Sequence, residues 1–206
     1  PSVVAAVALP PNDAPRQADL DEALRQIEAL AAHPWVRAVG ETGLDYFRTG
    51  EEGRGRQEES FRAHIAIAKR YNRTLMIHDR DAHADVLRIL DEEGAPERVM
   101  MHCFSGDREF ALECVKRGFI LSFSGTVTFD NARAVREAAA TTPIESMVVE
   151  TDAPFLTPAP YRGRPNAPYL IPLTVRALAD LTGADLAEVC ATISATGERL
   201  FGPWSP

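Results

Sequence analysis

The stretch Met147-Val148-Val149-Glu150-Thr151-Asp152-Ala153-Pro154-Phe155-Leu156 decides how this chain is read. Three apolar residues predict a short buried strand. The chain then turns polar at Glu150 and stops at Pro154. A parallel strand is covered on both faces, so its interior is apolar and charge belongs where it leaves the core. Carboxylates at i and i+2 share a face if the strand continues through them, which suits holding a metal or a proton.

The same grammar recurs upstream. Val36–Val39 runs into Gly40-Glu41-Thr42-Gly43-Leu44-Asp45, Leu75–Ile77 into His78-Asp79-Arg80-Asp81, and Val99–Met101 into His102-Cys103-Phe104-Ser105-Gly106. Four apolar runs thus each deliver a metal-competent side chain where the run ends: Glu41, His78, His102 and Asp152. Between them lie helical periodicities. Leu20, Leu24, Ile27 and Leu30 follow helix spacing behind a capping Asp19 or Asp21, and Phe61, Ile65 and Ala68 mark a helix over about Gln57–Tyr71. Further helices are expected over about Asp81–Glu93, Arg108–Arg117, Asn131–Ala140, Pro172–Leu181 and Asp185–Phe201. Additional strands are expected at Ser2–Leu9 and Phe119–Phe123. His33, before Pro34, reads as a loop histidine. His64 reads as a surface or packing residue and not as a ligand.

Alternating strands and helices predict an α/β fold of parallel strands with helices outside. A doubly wound sheet and a closed barrel both fit. No Gly-x-Gly-x-x-Gly follows any strand, and functional residues at the C-terminal ends of several strands are the habit of a TIM-type (β/α)₈ barrel, which is favoured. Six strands are found where eight are expected. Six would leave two edges open, so about two βα units are expected to be missing before Pro1, with a rearranged closure or a partner copy covering the gap as alternatives. The chain is read as a single domain over residues 1–206.

Composition bounds the function. Hydrophobic residues at 45% and charged residues at 25% are ordinary for a globular protein. A net charge of −8 excludes a broad basic nucleic-acid footprint, but not a phosphodiester substrate, because bound divalent metal inverts the local sign. Cys103, Cys114 and Cys190 are odd in number and widely spaced, which predicts a reducing, cytoplasmic setting. No signal peptide or long apolar run is evident. Two imidazoles with carboxylates suit Zn²⁺, Mn²⁺ or, where carboxylate and water dominate, Mg²⁺. Glu41 has two oxygens and can bridge two ions, and Asp152 can ligate, accept the proton of an attacking water, or both. Arg80, Arg162 and Arg164 are candidates for binding phosphate, and Phe155 and Tyr161 for packing or for stacking on a base.

The segments VGETGLDYFR, QEESFRAHIAIAK, LMIHDRDAH, MHCFSG and VVETDAPFLTPAPYRGRPNAP, in this order, resemble the TatD family of metal-dependent deoxyribonucleases. The resemblance runs from Val36 to Phe201. It implies a TIM-barrel hydrolase with nuclease activity on DNA ends, of 3′-to-5′ polarity. Glu41 would be the bridging ligand, His78 and His102 ligands, and Asp152 a ligand and base. Arg80, Arg162, Arg164 and Asn166 would contact substrate. One or two divalent ions are expected, Mg²⁺ first and Mn²⁺ or Zn²⁺ as alternatives. Three departures stand out. The family's opening His-x-His is absent, Pro10 occupies the place of a turn histidine, and Thr196-Gly197 replace Asn-Ala before Glu198-Arg199-Leu200-Phe201. Two rivals follow: another metal-dependent ester hydrolase, such as a D-aminoacyl-tRNA deacylase, or an inactive truncated remnant acting as a binding protein. Expected partners are DNA or another nucleic acid, and a second copy or N-terminal segment over the open barrel, with no membrane.

Overall fold

A computed structural model describes residues 3–203. The chain divides into two compact units, one built from the sequence up to His102 together with the residues from Leu200 onward, the other from Cys103–Arg199.

The first unit carries four parallel strands: β1 (Ala5–Val7), β2 (Val36–Asp45), β3 (Thr74–Arg80) and β4 (Val99–Met101). They pair in chain order, β1 with β2, β2 with β3 and β3 with β4. Helices α1 (Leu20–Ala31), α2 (Glu51–Arg70) and α3 (His83–Glu93) make the crossovers. Val39, Leu44, Phe61, Ile65, Leu75, Ile77, Ile89 and Leu90 are among its fully buried apolar side chains. The second unit carries α4 (Arg108–Lys116), β5 (Ile120–Phe123), α5 (Arg133–Thr141), β6 (Met147–Val149), α6 (Ile171–Thr182) and most of α7 (Leu186–Phe201). Strands β5 and β6 are parallel. Val175 and Ala179 of α6 pack with Val189 of α7 against Ile144 and Val149.

Helix ends follow their local chemistry. Asp19 caps α1 by accepting the Glu22 N–H, and Asp107 caps α4 by accepting that of Phe110. Helix α6 ends on Gly183 in the left-handed conformation. Helix α2 begins at Glu51, six residues before the expected start. Glu51 and Glu52 fill its first turn, where carboxylates favour the positive end of the helix, so the polar, glycine-bearing segment is helical and not a loop. Arg62 and Arg88 lace α2 to α3, with Arg62 reaching Glu58, Glu92 and Glu93, and Arg88 reaching Glu58, Asp85 and Glu92.

Two strands run further than their apolar cores. β2 continues past Glu41 to Asp45, and β3 past His78 to Arg80. Both were expected to end where charge begins. They continue because the polar residues find partners inside the unit. The first strand is shorter than expected and not buried: Ala5 and Ala6 are exposed, and Ser2 lies outside the described residues.

His64 is fully buried on α2, which excludes the surface alternative. Its Nε2 accepts the Leu9 N–H at 3.0 Å, and its Nδ1 lies 2.6 Å from the Ser60 carbonyl. A backbone donor on one nitrogen and a backbone acceptor on the other define a neutral ring with its proton on Nδ1. Burial pushes its pKa down to about 4.

Candidate metal centre

Glu41 owes its place to an irregularity in β2. Val39 pairs with Leu75 and Thr42 with Ile77, so Gly40 and Glu41 together oppose Met76. This is a β-bulge, a device that re-aims a side chain. In a regular strand Val39 and Glu41 would share a face. Here Val39 follows Leu75, while Glu41, two residues before Gly43, follows that residue's partner His78. Two glycines make the crossing of β2 and β3 sterically feasible. A Cβ on Gly40 would lie 2.3 Å from the Met76 Cβ. Gly43 has φ +134°, and a Cβ there would lie 2.1 Å from the His78 carbonyl oxygen. The pattern Gly-Glu-Thr-Gly is thus the sequence image of a bulge pressed against β3.

The result is a convergence on one carboxylate oxygen. Glu41 Oε2 lies 3.3 Å from His78 Nδ1 and 3.0 Å from His102 Nε2. His102 follows β4, and its backbone N–H extends the ladder to the Ile77 carbonyl at 2.8 Å. Glu41 and His78 are about one-third and one-quarter exposed at their side chains, and His102 less. The ring nitrogens of His102 and then of His78 beside it outweigh burial and hold the Glu41 carboxyl far below the usual range. It is therefore an anion with two ring nitrogens beside it. Two imidazole nitrogens and a carboxylate oxygen form a donor set that fits a divalent cation.

Asp45 completes this cluster. Its side chain is 1% exposed, and its Oδ2 lies 3.1 Å from His78 Nε2. Sequence reasoning quoted Asp45 at the end of the β2 segment but left it out of the ligand set. The signal was available: residues 41, 43 and 45 share a face once the strand is carried to its true end.

In the second unit the β6 carboxylates are placed by turns. The Glu150 N–H bonds to the Phe123 carbonyl at 3.1 Å, and its Oε2 accepts the Cys103 N–H at 2.9 Å. One Glu150 oxygen is thus engaged by the chain just before α4. Cys103 has φ 43° and Asp152 φ 56°, left-handed conformations that non-glycine residues rarely adopt. Such backbone persists where surrounding contacts over-determine it. For Asp152 the contacts come from Asn166, which is 7% exposed. Its Nδ2 donates to the Thr151 and Phe155 carbonyls, both at 2.8 Å, and its Oδ1 accepts the Ala167 N–H at 2.8 Å. Asn166 therefore braces the turn bearing Asp152, with both amide hydrogens engaged.

The arginines singled out from sequence sit on aromatic rings. Arg80 lies 3.9 Å above the Phe47 ring, Arg162 4.0 Å above that of Phe129, and Arg164 6.0 Å from that of Tyr161. Phe129, Phe155, Arg162 and Arg164 are among the residues lining a recess of about 590 Å³ in the second unit. Phe155 is 68% exposed, so packing does not account for it. No helix among the described residues is long and apolar enough to cross a membrane.

Comparison with known proteins bears on the family and the fold. The family described as TatD related DNase matches residues 1–202. The uncharacterized metal-dependent hydrolase TatD of Mycobacterium tuberculosis is 48% identical over 204 residues, covering 97% of this chain and 76% of that protein. The uncharacterized metal-dependent hydrolase YabD of Bacillus subtilis is 42% identical, covering 97% and 77%. A Citrobacter rodentium protein named 3′-5′ ssDNA/RNA exonuclease TatD is 37% identical, covering 90% and 72%. Among solved structures, the TatD homologue YJJV of Escherichia coli superposes with a TM-score of 0.90 at 28% identity, covering 97% of this chain and 77% of that one. The fold is α/β of the TIM-barrel class, which decides between the two architectures left open by the strand pattern. The chain belongs to the TatD-related DNase family of metal-dependent hydrolases.

Proposed function

We propose that this chain hydrolyses phosphodiester bonds in DNA, releasing nucleotides from the 3′ end. Glu41, His78 and His102 hold a divalent ion, and Asp152 serves as ligand and proton acceptor. The observation that carries this reading is the meeting of His78 Nδ1 and His102 Nε2 on one Glu41 oxygen. The donor set takes Zn²⁺ or Mn²⁺ readily, and Mg²⁺ when water completes its shell. A bound divalent ion supplies acidity to a water molecule and positive charge to a phosphate.

The chain's own groups supply the rest. Glu41 is anionic, so it accepts charge without first losing a proton. Asp152, at the end of the Glu150-Thr151-Asp152 segment, takes the proton of the attacking water. The arginines act as phosphate binders. Arg162 is pre-oriented by Phe129, so less side-chain freedom is lost on binding an anion. Exposed Phe155, in the same recess, offers a face on which a base can stack. The polarity rests on the name carried by the Citrobacter relative and on the family resemblance. An odd count of three cysteines supports a cytoplasmic setting.

The test is digestion of a 5′-labelled oligonucleotide with Mg²⁺, Mn²⁺ or Zn²⁺ present. A ladder shortening from the 3′ end is expected. Asp152→Asn should slow it by about 100-fold or more, the usual worth of a proton acceptor. Near-normal cleavage by that variant removes Asp152 from the mechanism. No cleavage under any ion, with metal binding retained, refutes the nuclease assignment.

A further inference from the structure

We infer that Asp45 is a positioning residue for the metal centre: it holds His78 with the Nε2 proton turned toward itself, so that Nδ1 is the ring atom offered beside Glu41. The inference rests on the proposed metal role of Glu41, His78 and His102. It goes beyond that role in naming which nitrogen of His78 serves and what decides it.

The argument is one of hydrogen-bond direction. Asp45 Oδ1 accepts the Arg48 N–H at 2.8 Å, and Oδ2 faces Asn12 Nδ2 at 3.0 Å and His78 Nε2 at 3.1 Å. Side-chain amides can be placed either way round, so their orientation has to come from groups that cannot turn. Two backbone groups do this for Gln57. The Asp45 N–H reaches its Oε1 at 3.0 Å, and its Nε2 reaches the Pro11 carbonyl, also at 3.0 Å. Gln57 Nε2 then donates to Thr49 Oγ1 at 2.8 Å. The Thr49 hydroxyl passes its single proton to Asn12 Oδ1 at 3.1 Å. That leaves Asn12 Nδ2 as the end facing Asp45. The sense of donation thus runs from fixed backbone atoms through Gln57, Thr49 and Asn12 into Asp45.

Asp45 receives an N–H donor on each oxygen, Arg48 on Oδ1 and Asn12 on Oδ2, the pattern of a carboxylate. An ionised carboxylate only accepts. His78 Nε2 must therefore carry a proton. The ring's other nitrogen, Nδ1, faces Glu41 Oε2, so it is the atom left with a lone pair that would hold a divalent ion. Histidines that bind metal through one nitrogen commonly give the other N–H to a carboxylate, which fixes ring and tautomer.

A single substitution separates direction from shape. In Asp45→Asn the Arg48 N–H still demands an acceptor, so the oxygen of the new amide occupies the Oδ1 place and its NH₂ the Oδ2 place. That NH₂ donates to His78 Nε2 and drives the ring proton to Nδ1, where the cation should sit. Asp45→Asn should weaken Zn²⁺ binding, measured calorimetrically, by about 10- to 100-fold. The Zn²⁺-loaded unaltered protein should show the His78 proton on Nε2 in long-range ¹H–¹⁵N spectra, and the variant should show it on Nδ1. Zn²⁺ affinity within twofold of the parent overturns the inference. A proton on Nδ1 in the Zn²⁺-loaded parent also overturns it, and that measurement needs no substitution, should Asp45→Asn fail to fold. His78→Ala and His102→Ala serve as controls. If both keep parental Zn²⁺ affinity, the metal centre itself is wrong. If both lose it while Asp45→Asn does not, only the role of Asp45 fails.

Discussion

Acid should destabilise this protein through a histidine that takes no part in the proposed chemistry. His64 is 0% exposed, and both ring nitrogens are spent on backbone groups, Nε2 on the Leu9 N–H and Nδ1–H on the Ser60 carbonyl. Its protonation would place a donor against the Leu9 donor and a charge in the core. In the unfolded chain the ring binds its proton near 6.5, and in the folded chain near about 4. Because the folded value is depressed, the unfolded state takes up more protons in this window. The contribution is fully present above about pH 6.5 and is lost as pH falls toward about 4. At about 1.4 kcal/mol per tenfold change in proton affinity, the loss comes to about 3 kcal/mol. Carboxylates also titrate in this range, so the test is a difference. Urea unfolding of the parent and of His64→Gln, which keeps an acceptor for Leu9 but does not titrate, is measured from neutral pH down to about pH 4. The parent should lose about 3 kcal/mol more than the variant across that interval. Parallel curves, with a gap constant to within about 0.5 kcal/mol, would refute the reasoning.

Three further outcomes are expected. Gly43→Ala should cost at least about 2 kcal/mol in thermal unfolding, because its φ of +134° and the nearby His78 carbonyl leave no place for a Cβ; a neutral variant would mean that β2 and β3 separate freely there. Asn166→Ala should cost about 1–3 kcal/mol by leaving the Thr151 and Phe155 carbonyls without their donor, and should speed amide exchange over residues 152–165; unchanged exchange would deny Asn166 its bracing role. Glu41→Gln should lower Zn²⁺ affinity by more than the about 10- to 100-fold typical of residues behind the ligands, checked by calorimetry, and an undiminished affinity would take Glu41 out of the donor set.

How far the sequence is legible depends on where polar residues sit. The strands Val99–Met101 and Met147–Val149 match their apolar triplets residue for residue, because turns follow at once. The longer strands were cut short by the same test. Asp45 and Asp79 are buried charges that look like loop residues in a one-dimensional reading, and only their partners, Asn12 and His78 for one and His83 for the other, explain them. Asn12 and His78 each lie 33 residues from Asp45 in sequence, and His83 stands four residues past Asp79, at the start of α3. Glu41, His78 and His102 stand out in the sequence because each is a metal-competent side chain at the end of an apolar run. The bulge beneath Glu41 left only its flanking glycines as a trace. The arginines and lysine around His64 hid its burial, since they occupy the other faces of α2. Asn166 stands beside basic residues in the sequence, which suggests a substrate contact, and nothing there signals the bonds by which its amide holds the turn.

The lattice of Arg62 and Arg88 with Asp85, Glu58, Glu92 and Glu93 gives α2 and α3 a bond whose worth depends on conditions. At room temperature such surface pairs add little, and concentrated salt erodes them further. Heating changes the balance. The hydration that competes with each pair becomes less favourable as temperature rises, while the gain from burying apolar surface levels off. Two arginines shared among four carboxylates also cannot be undone by the departure of one partner. The α2–α3 seam therefore keeps its strength on warming better than apolar contacts do, and loses it in brine.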